Sequence, residues 1–157
     1  MSKVFVDDGR LSIELPDGFE LMSSDLLQSI YGMEYMQMWG ARDEGRHVAV
    51  TIIWKDSNAL VSKLASQKAL AKRVEKALAK AYRHKGYRVG NLFETNVAQR
   101  DTHGFAYACQ IEGIPHECEV LVFKDGGRCY TLYYYAREEC AQKNRSVYES
   151  MLASLSL

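Results

Sequence analysis

The stretch Glu117-Cys118-Glu119-Val120-Leu121-Val122-Phe123-Lys124-Asp125-Gly126-Gly127-Arg128-Cys129-Tyr130-Thr131-Leu132-Tyr133-Tyr134-Tyr135-Ala136 decides the fold. Two runs rich in β-branched and aromatic residues flank Asp-Gly-Gly, a clear hairpin signal, and predict strands over Glu117 to Lys124 and Cys129 to Ala136. Alternation puts Tyr133 and Tyr135 on one face and Tyr130 and Tyr134 on the other. Upstream, Phe105 to Glu112 and Arg88 to Ala98 read as two further strands. Downstream, Glu138 and Glu139 open a terminal helix, favourable against its dipole, with apolar positions at Val147, Tyr148, Met151, Leu152 and Leu155.

The N-terminal part repeats the hairpin logic. Val4 to Val6 and Leu11 to Leu15 are short strands around Asp7-Asp8-Gly9-Arg10, and Pro16-Asp17-Gly18 ends the second. Ser23 or Ser24 caps a short helix through Tyr31 that Gly32 terminates. Tyr35 to Trp39 and Val48 to Trp54 are strands joined by Asp43-Glu44-Gly45. Val48 to Trp54 is apolar on both faces, so we expect it inside the sheet, covered on both sides. Strands that arrive as hairpins and long helices that come singly predict an α+β fold, an antiparallel sheet flanked by helices, over one domain of residues 1–157.

Between the two strand groups, Ala59 to Arg88 carries a long helical pattern. Leu60, Leu64, Ala71, Val74, Leu78, Ala81 and Tyr82 form one stripe, and Gly86 is the stop. The other side is almost wholly basic. Lys68, Lys72, Lys76 and Lys80 repeat every four residues, Lys63, Arg73, Arg83, Lys85 and Arg88 add to them, and Glu75 is the sole acid. Opposite charges four apart stabilise a helix and like charges repel, so this helix forgoes a common support.

The order of elements resembles the PsbP/Mog-like group. An early strand ends in Leu15-Pro16-Asp17-Gly18-Phe19, a long middle helix follows, and three meandering strands precede a C-terminal helix. The passage from His103-Gly104-Phe105-Ala106-Tyr107 to Tyr130-Thr131-Leu132-Tyr133-Tyr134-Tyr135-Ala136-Arg137 carries the likeness furthest. The resemblance implies an α/β/α sandwich. It also implies company among a photosystem subunit, a small nuclear-import factor that binds a GTPase, and many bacterial proteins, where binding is better represented than catalysis. No functional residue carries over from it.

Net charge is zero, which argues against strong general affinity for nucleic acid, but the zero is divided. Residues 1–59 hold a net −5, residues 60–90 a net +8 and residues 91–157 a net −3. The N-terminus has no signal-peptide pattern and no run is long enough to span a bilayer, so we expect a cytoplasmic protein. Cys109, Cys118, Cys129 and Cys140 form no C-x-x-C pair and read as free thiols used as small apolar groups.

Catalytic signatures are missing: no G-x-x-x-x-G-K-S/T, G-x-G-x-x-G, H-E-x-x-H or G-x-S-x-G is present. His116 and Cys118, with Cys109 and Cys129 on nearby strands, offer soft ligands for a metal or a Cys–His pair. Asp7-Asp8 and Asp43-Glu44 read as solvated turn carboxylates. The tyrosine cluster and Met33-Glu34-Tyr35-Met36-Gln37-Met38-Trp39 read as core filling. The leading expectation is a small non-enzymatic binding or adaptor domain without cofactor or metal. Its partner surface is Lys68, Lys72, Lys76, Lys80 and Arg83, and its partner an acidic protein. An enzyme with a Cys/His or metal site on the C-terminal strands is the alternative. Membrane insertion is disfavoured because the helix's apolar stripe is Ala-rich and lacks Trp and Phe.

Overall fold

The computed structural model describes residues 1–32, 37–56 and 66–157. The chain opens with β1 (Ser2–Val6) and β2 (Leu11–Leu15), an antiparallel pair that forms a small sheet of its own. Asp7, Asp8 and Gly9 turn it with φ of 55°, 53° and 85°. Then come β3 (Glu20–Leu21), α1 (Ser24–Tyr31), β4 (Gln37–Asp43), β5 (Val48–Asp56) and α2 (Gln67–Ala81). The C-terminal half adds β6 (Arg88–Val89), β7 (Phe93–Val97), β8 (Arg100–Ile111), β9 (Ile114–Asp125) and β10 (Arg128–Arg137). A 3-10 turn over Glu138–Cys140 leads into α3 (Ala141–Ser154). Strands β3 to β10 build one eight-stranded sheet, ordered β3-β4-β5-β10-β9-β8-β6, with β7 also on β8. Every pairing among the described residues is antiparallel.

The long β8–β9–β10 meander is the scaffold. Gly126 and Gly127, at φ 53° and 82°, make the β9–β10 turn that Asp125-Gly126-Gly127 announces. Each strand then alternates between two buried faces. On one, Val50, Ile52, Trp54, Leu121, Phe123, Tyr130, Leu132 and Tyr134 meet Tyr148 and Met151 of α3 and Val6, Leu11, Ile13 and Leu15 of the hairpin. On the other, Phe105, Tyr107, Cys109, Cys118, Val120 and Val122 meet Leu70, Ala71, Val74 and Leu78 of α2. The helices therefore lie on opposite sides of the sheet, as the fold class expected from the strand order requires.

Local signals were obeyed where chemistry was local. Ser23 Oγ accepts from the Leu26 amide at 3.2 Å to cap α1, and Gly32 ends it at φ 63°. Val48 to Trp54 does lie inside the sheet, between β4 and β10. The expected strand from Tyr35 is seen from Gln37 and runs on to Asp43; Met33 to Met36 lie outside the described residues. The same holds for the start of the expected long helix, including Leu60, Lys63 and Leu64. Its end falls earlier than Gly86: the helix stops at Ala81 with Tyr82 as cap, so Arg83 and Lys85 sit in a turn and Arg88 on β6.

The single strand expected over Arg88 to Ala98 is two. Arg88 pairs with Ala108, but Phe93 pairs with Gly104, one residue out of that register. The extra residue makes a bulge-like break at Gly90, Asn91 and Leu92. The hairpin beyond it turns on Ala98 and Gln99, both left-handed at φ 52° and 61°, which no Gly or Asn advertises. Asp7 is a second departure. It is not solvated but 6% exposed, accepting from Arg128 Nη1 at 2.5 Å and from the Tyr130 hydroxyl at 2.7 Å. The turn carboxylate thus pins the small hairpin to the large sheet.

Close approach explains Gly104. A Cβ there would stand 2.5 Å from the Val120 carbonyl oxygen and 2.6 Å from Leu121 Cδ2, whereas one on Gly90 would meet the Ala106 oxygen at 3.5 Å. Gly104→Ala is therefore expected to destabilise by roughly 1–3 kcal/mol in urea unfolding, because backbone cannot yield as a side chain does. Gly90→Ala is expected to stay within about 0.5 kcal/mol of the parent. Equal midpoints for the two variants would contradict this packing.

Candidate functional site

Ser66 starts α2 by accepting from the Ala69 amide through Oγ at 3.1 Å. Its apolar side faces the sheet, which leaves Lys68, Lys72, Arg73, Lys76 and Lys80 exposed, with Arg83 exposed in the following turn. Among the described residues none of these six cations enters an ion pair. Glu75, the acid expected to temper them, is half-buried and turned inward, where it accepts from the Tyr87 hydroxyl at 3.1 Å. Burial, then that carboxylate, pushes the Tyr87 hydroxyl pKa up, so the phenol stays a donor. The outward face of α2 therefore carries positive charge without a counter-charge of its own. Lys80 alone gains from position, in the last turn against the helix dipole.

The cysteine and histidine candidates are not brought together as the metal reading requires. His116 and Cys118 do share a face of β9, and Cys109 lies directly across from His116 on β8. The His116 ring, however, turns to the Ile114 carbonyl, with Nδ1 donating at 2.7 Å. The thiol of Cys109 is drawn down by a hydrogen bond from Cys118 and by the Lys85 ammonium, against its burial. Cys118, the donor of that bond and itself buried, is pushed up. Cys129 is not beside Cys109: β9 separates their strands. It pairs with Lys124 while Cys118 pairs with Tyr135, an offset of six residues, roughly 20 Å. Among the described residues no three His, Cys, Asp or Glu side chains converge on one point.

The tyrosines divide as their alternation predicts. Tyr130 is fully buried and stacks on Phe123 at 5.3 Å. Tyr134 stacks on Tyr148 of α3 at 3.9 Å. On the other face the Tyr31 hydroxyl of α1 joins the Tyr135 hydroxyl at 2.8 Å and Thr51 Oγ1. Burial raises Tyr133 and Tyr134 to about 12, so both remain neutral packing groups.

One concentration of polar groups escaped the sequence reading. Glu119 is 6% exposed on β9, with Arg145 Nη1 of α3 at 3.5 Å. Cavities of about 380 and 410 Å³ open on either side of that pair. The only trace in the sequence is Glu117-Cys118-Glu119, two acids at strand spacing where apolar residues are due.

No protein-family model matches the chain, and no curated protein sequence does. Solved structures do. The chain is similar to cyanobacterial PsbP (CyanoP) from Synechocystis, with TM-score 0.74 and 11% identity, covering 99% of this chain and 91% of that one. LpqN of Mycobacterium tuberculosis, involved in cell envelope biogenesis, gives 0.62 at 9% identity over 99% and 88% of the two chains. A point mutant of the protein Mog1 gives 0.58 at 11% identity over 98% and 94%. The chain has the PsbP/Mog1-like fold, as its order of elements suggested, and identities this low speak for the fold alone.

Burial orders the thiols. Cys109 and Cys118 are 3% and 4% exposed, while Cys129 and Cys140 are half-buried. Titration of the native protein with an aromatic disulfide is expected to release two equivalents in a fast phase, assigned by mass spectrometry to Cys129 and Cys140. The other two follow only with opening of the sheet or added urea. Fast modification of Cys109 would instead mark an accessible, activated thiol and revive the enzyme alternative.

Proposed function

We propose that this chain is a non-enzymatic binding domain that docks an acidic protein partner on the outward face of α2. The observation that carries the reading is the uncompensated charge of Lys68, Lys72, Lys76, Lys80 and Arg83, with Glu75 withdrawn to Tyr87. Like charges four apart cost a few tenths of a kcal/mol per pair, so the face opposes the helix it sits on. Partial burial of Leu70, Val74 and Leu78 against the sheet offsets that repulsion, each contributing some fraction of the roughly 1.5–3 kcal/mol of a fully buried large aliphatic side chain.

Other anionic partners fit less well. A membrane-surface helix inserts an apolar face, and the apolar face of α2 is spent on the sheet. Among the described residues no helix is long and apolar enough to cross a membrane. Single-stranded nucleic acid calls for exposed aromatic platforms beside the charge, and the nearest rings, Tyr82 and Tyr87, are half-buried in packing. A reducing, cytoplasmic setting suits four free thiols.

The test is charge reversal at Lys72, Lys76 and Lys80 together. These side chains point away from the packed stripe, so Lys72→Glu, Lys76→Glu, Lys80→Glu is expected to keep the circular dichroism spectrum and to melt within a few degrees of the parent. A partner captured by the parent and identified as acidic is expected to associate with the variant tenfold more slowly or worse, with a flattened salt dependence. A variant that keeps its partner, rate and salt slope makes the face a solvated surface only.

A further inference from the structure

We propose that the trough over β6, β8 and β9, on the side of the sheet covered by α3, binds a small ligand through a primary ammonium group, with Glu119 as counter-ion and Tyr134 as hydrogen-bond partner. The site is independent of the basic face, which lies on the opposite side of the sheet.

Register builds the trough. Arg88, Ala108 and Glu117 form one cross-strand row, and Ala106, Glu119 and Tyr134 form the next. The Gly90 amide donates to the Ala106 carbonyl at 2.9 Å and extends that second row. Gly90, Ala106 and Ala108 bear almost no side chain, so the floor is bare sheet: Ala106 is exposed although β8 is paired on both edges. The result is a cavity of about 380 Å³ with Arg88 on one wall and Glu117, Glu119 and Arg145 on the other.

Inside it the hydrogen bonding is incomplete. Glu119 is buried, and the cation nearest its carboxylate among the described residues is the Arg145 guanidinium, at a loose 3.5 Å. Tyr134 is 4% exposed, and among the described residues its hydroxyl has no hydrogen-bond partner. Tyr134 lines the cavity, and its ring stacks on that of Tyr148, whose hydroxyl lies beside Glu119. Buried polar groups are nearly always satisfied, so an unpartnered buried hydroxyl beside a loosely paired buried carboxylate marks a place built to receive something.

The chemistry of the lining selects a cation. The Glu119 carboxylate and the Tyr134 phenolic oxygen are acceptors in one cavity, and a primary ammonium brings three donors. Arg145 answers this need poorly because it is held elsewhere. Its Nε donates to Glu149 at 3.1 Å, and its guanidinium lies 5.4 Å over the Tyr148 ring. It is a resident cation that a better-shaped one can displace while Glu149 keeps it paired. An anion would meet Glu117 and Glu119 on that wall. Arg88, exposed and in no ion pair among the described residues, stands on the far wall, where it would receive a carboxylate if the ligand carries one. Simple amines and amino acids thus share the ammonium chemistry and differ at Arg88.

Isotope-labelled full-length chain titrated at neutral pH with n-butylamine, norleucine and valerate separates these cases. Butylammonium is expected to give saturable amide shifts at Ala106, Ala108, Glu119 and Tyr134, and valerate none. Norleucine binding severalfold more tightly, with the margin lost in Arg88→Ala, adds the carboxylate end; equal affinity leaves a plain ammonium site. Glu119→Gln is expected to weaken either ligand at least tenfold, and Arg145→Gln to strengthen it severalfold. Should Glu119→Gln not fold, Tyr134→Phe, which removes a hydroxyl with no partner among the described residues, is expected to fold and weaken binding severalfold. Absence of saturable shifts in both the parent and Arg145→Gln overturns the proposal. So does undiminished binding in Glu119→Gln, or in Tyr134→Phe where that variant replaces it. Valerate occupying the same residues also overturns it, as that would mark an anion site.

Discussion

Everything in this molecule hangs on β10 being buried on both faces. Leu132 and Tyr134 look toward α3, Tyr133 and Tyr135 toward α1, and the strand is paired along both edges, with β5 and β9. A slip of one residue would exchange the two sets and carry every neighbour with it. Thr131, Tyr133 and Tyr135 therefore dictate what the helix side must accommodate, just as Tyr130, Leu132 and Tyr134 dictate the other. The tyrosines suit such a strand because each ring is large enough to reach the next layer, and the hydroxyl ends can meet there, as Tyr31 and Tyr135 do.

Polar ties then fix the pieces that apolar packing alone would leave adjustable. Asp7 is the clearest. Among the described residues the hairpin β1–β2 shares no backbone pairing with the large sheet, and its turn carboxylate bonds Arg128 and Tyr130 at the first residues of β10. At the opposite end of β10, Asn144 Nδ2 donates to the Arg46 carbonyl at 2.8 Å, and Arg46 Nη1 donates to the Asp17 carbonyl at 2.7 Å. The helix α3, the β4–β5 turn and the Pro16-Asp17-Gly18 turn are thereby joined. Gly18 is required at this point: its φ is +99°, and a Cβ would fall 2.6 Å from the Asp43 carboxylate.

What was legible in the sequence was what short-range chemistry decides. Asp-Gly turns, Ser and Gly caps and hydrophobic periodicity brought out the succession of strands, the three helices and both core faces. What failed did so where tertiary context overrode a local preference. Ala98 and Gln99 adopt left-handed backbone because β7 and β8 pair tightly on either side, and nothing in their chemistry asks for it. The break at Gly90 comes from a register mismatch that only the partner strand reveals. Tyr82 ends α2 four residues before the glycine that seemed to stop it, since Lys85 gives its carbonyl to the Gln110 amide on β8. Asp7 and Glu119 look like ordinary surface acids in sequence. Their burial follows from partners more than 100 and more than 20 residues away, respectively. The basic face, by contrast, was readable because it needs only a helix and a spacing of four.

The two polar surfaces follow opposite electrostatic logics, and the sheet between them permits it. Glu75 and Glu119 are both acids drawn away from solvent. Glu75 leaves the lysine face to bond Tyr87, which strips that face of its counter-charge and leaves its field free to act at long range. Glu119 is drawn inward beneath α3, where Arg145 pairs with it only loosely and its field is confined to a short-range pocket. One arrangement favours a large partner approached through water, the other a small group that gives up its water on entry. Val120 and Glu119 are consecutive in β9 and point to opposite sides, so the basic helix and the buried carboxylate are screened by the sheet's own apolar layer. A chain of net charge zero can in this way present a cationic face and an anionic cleft without either cancelling the other.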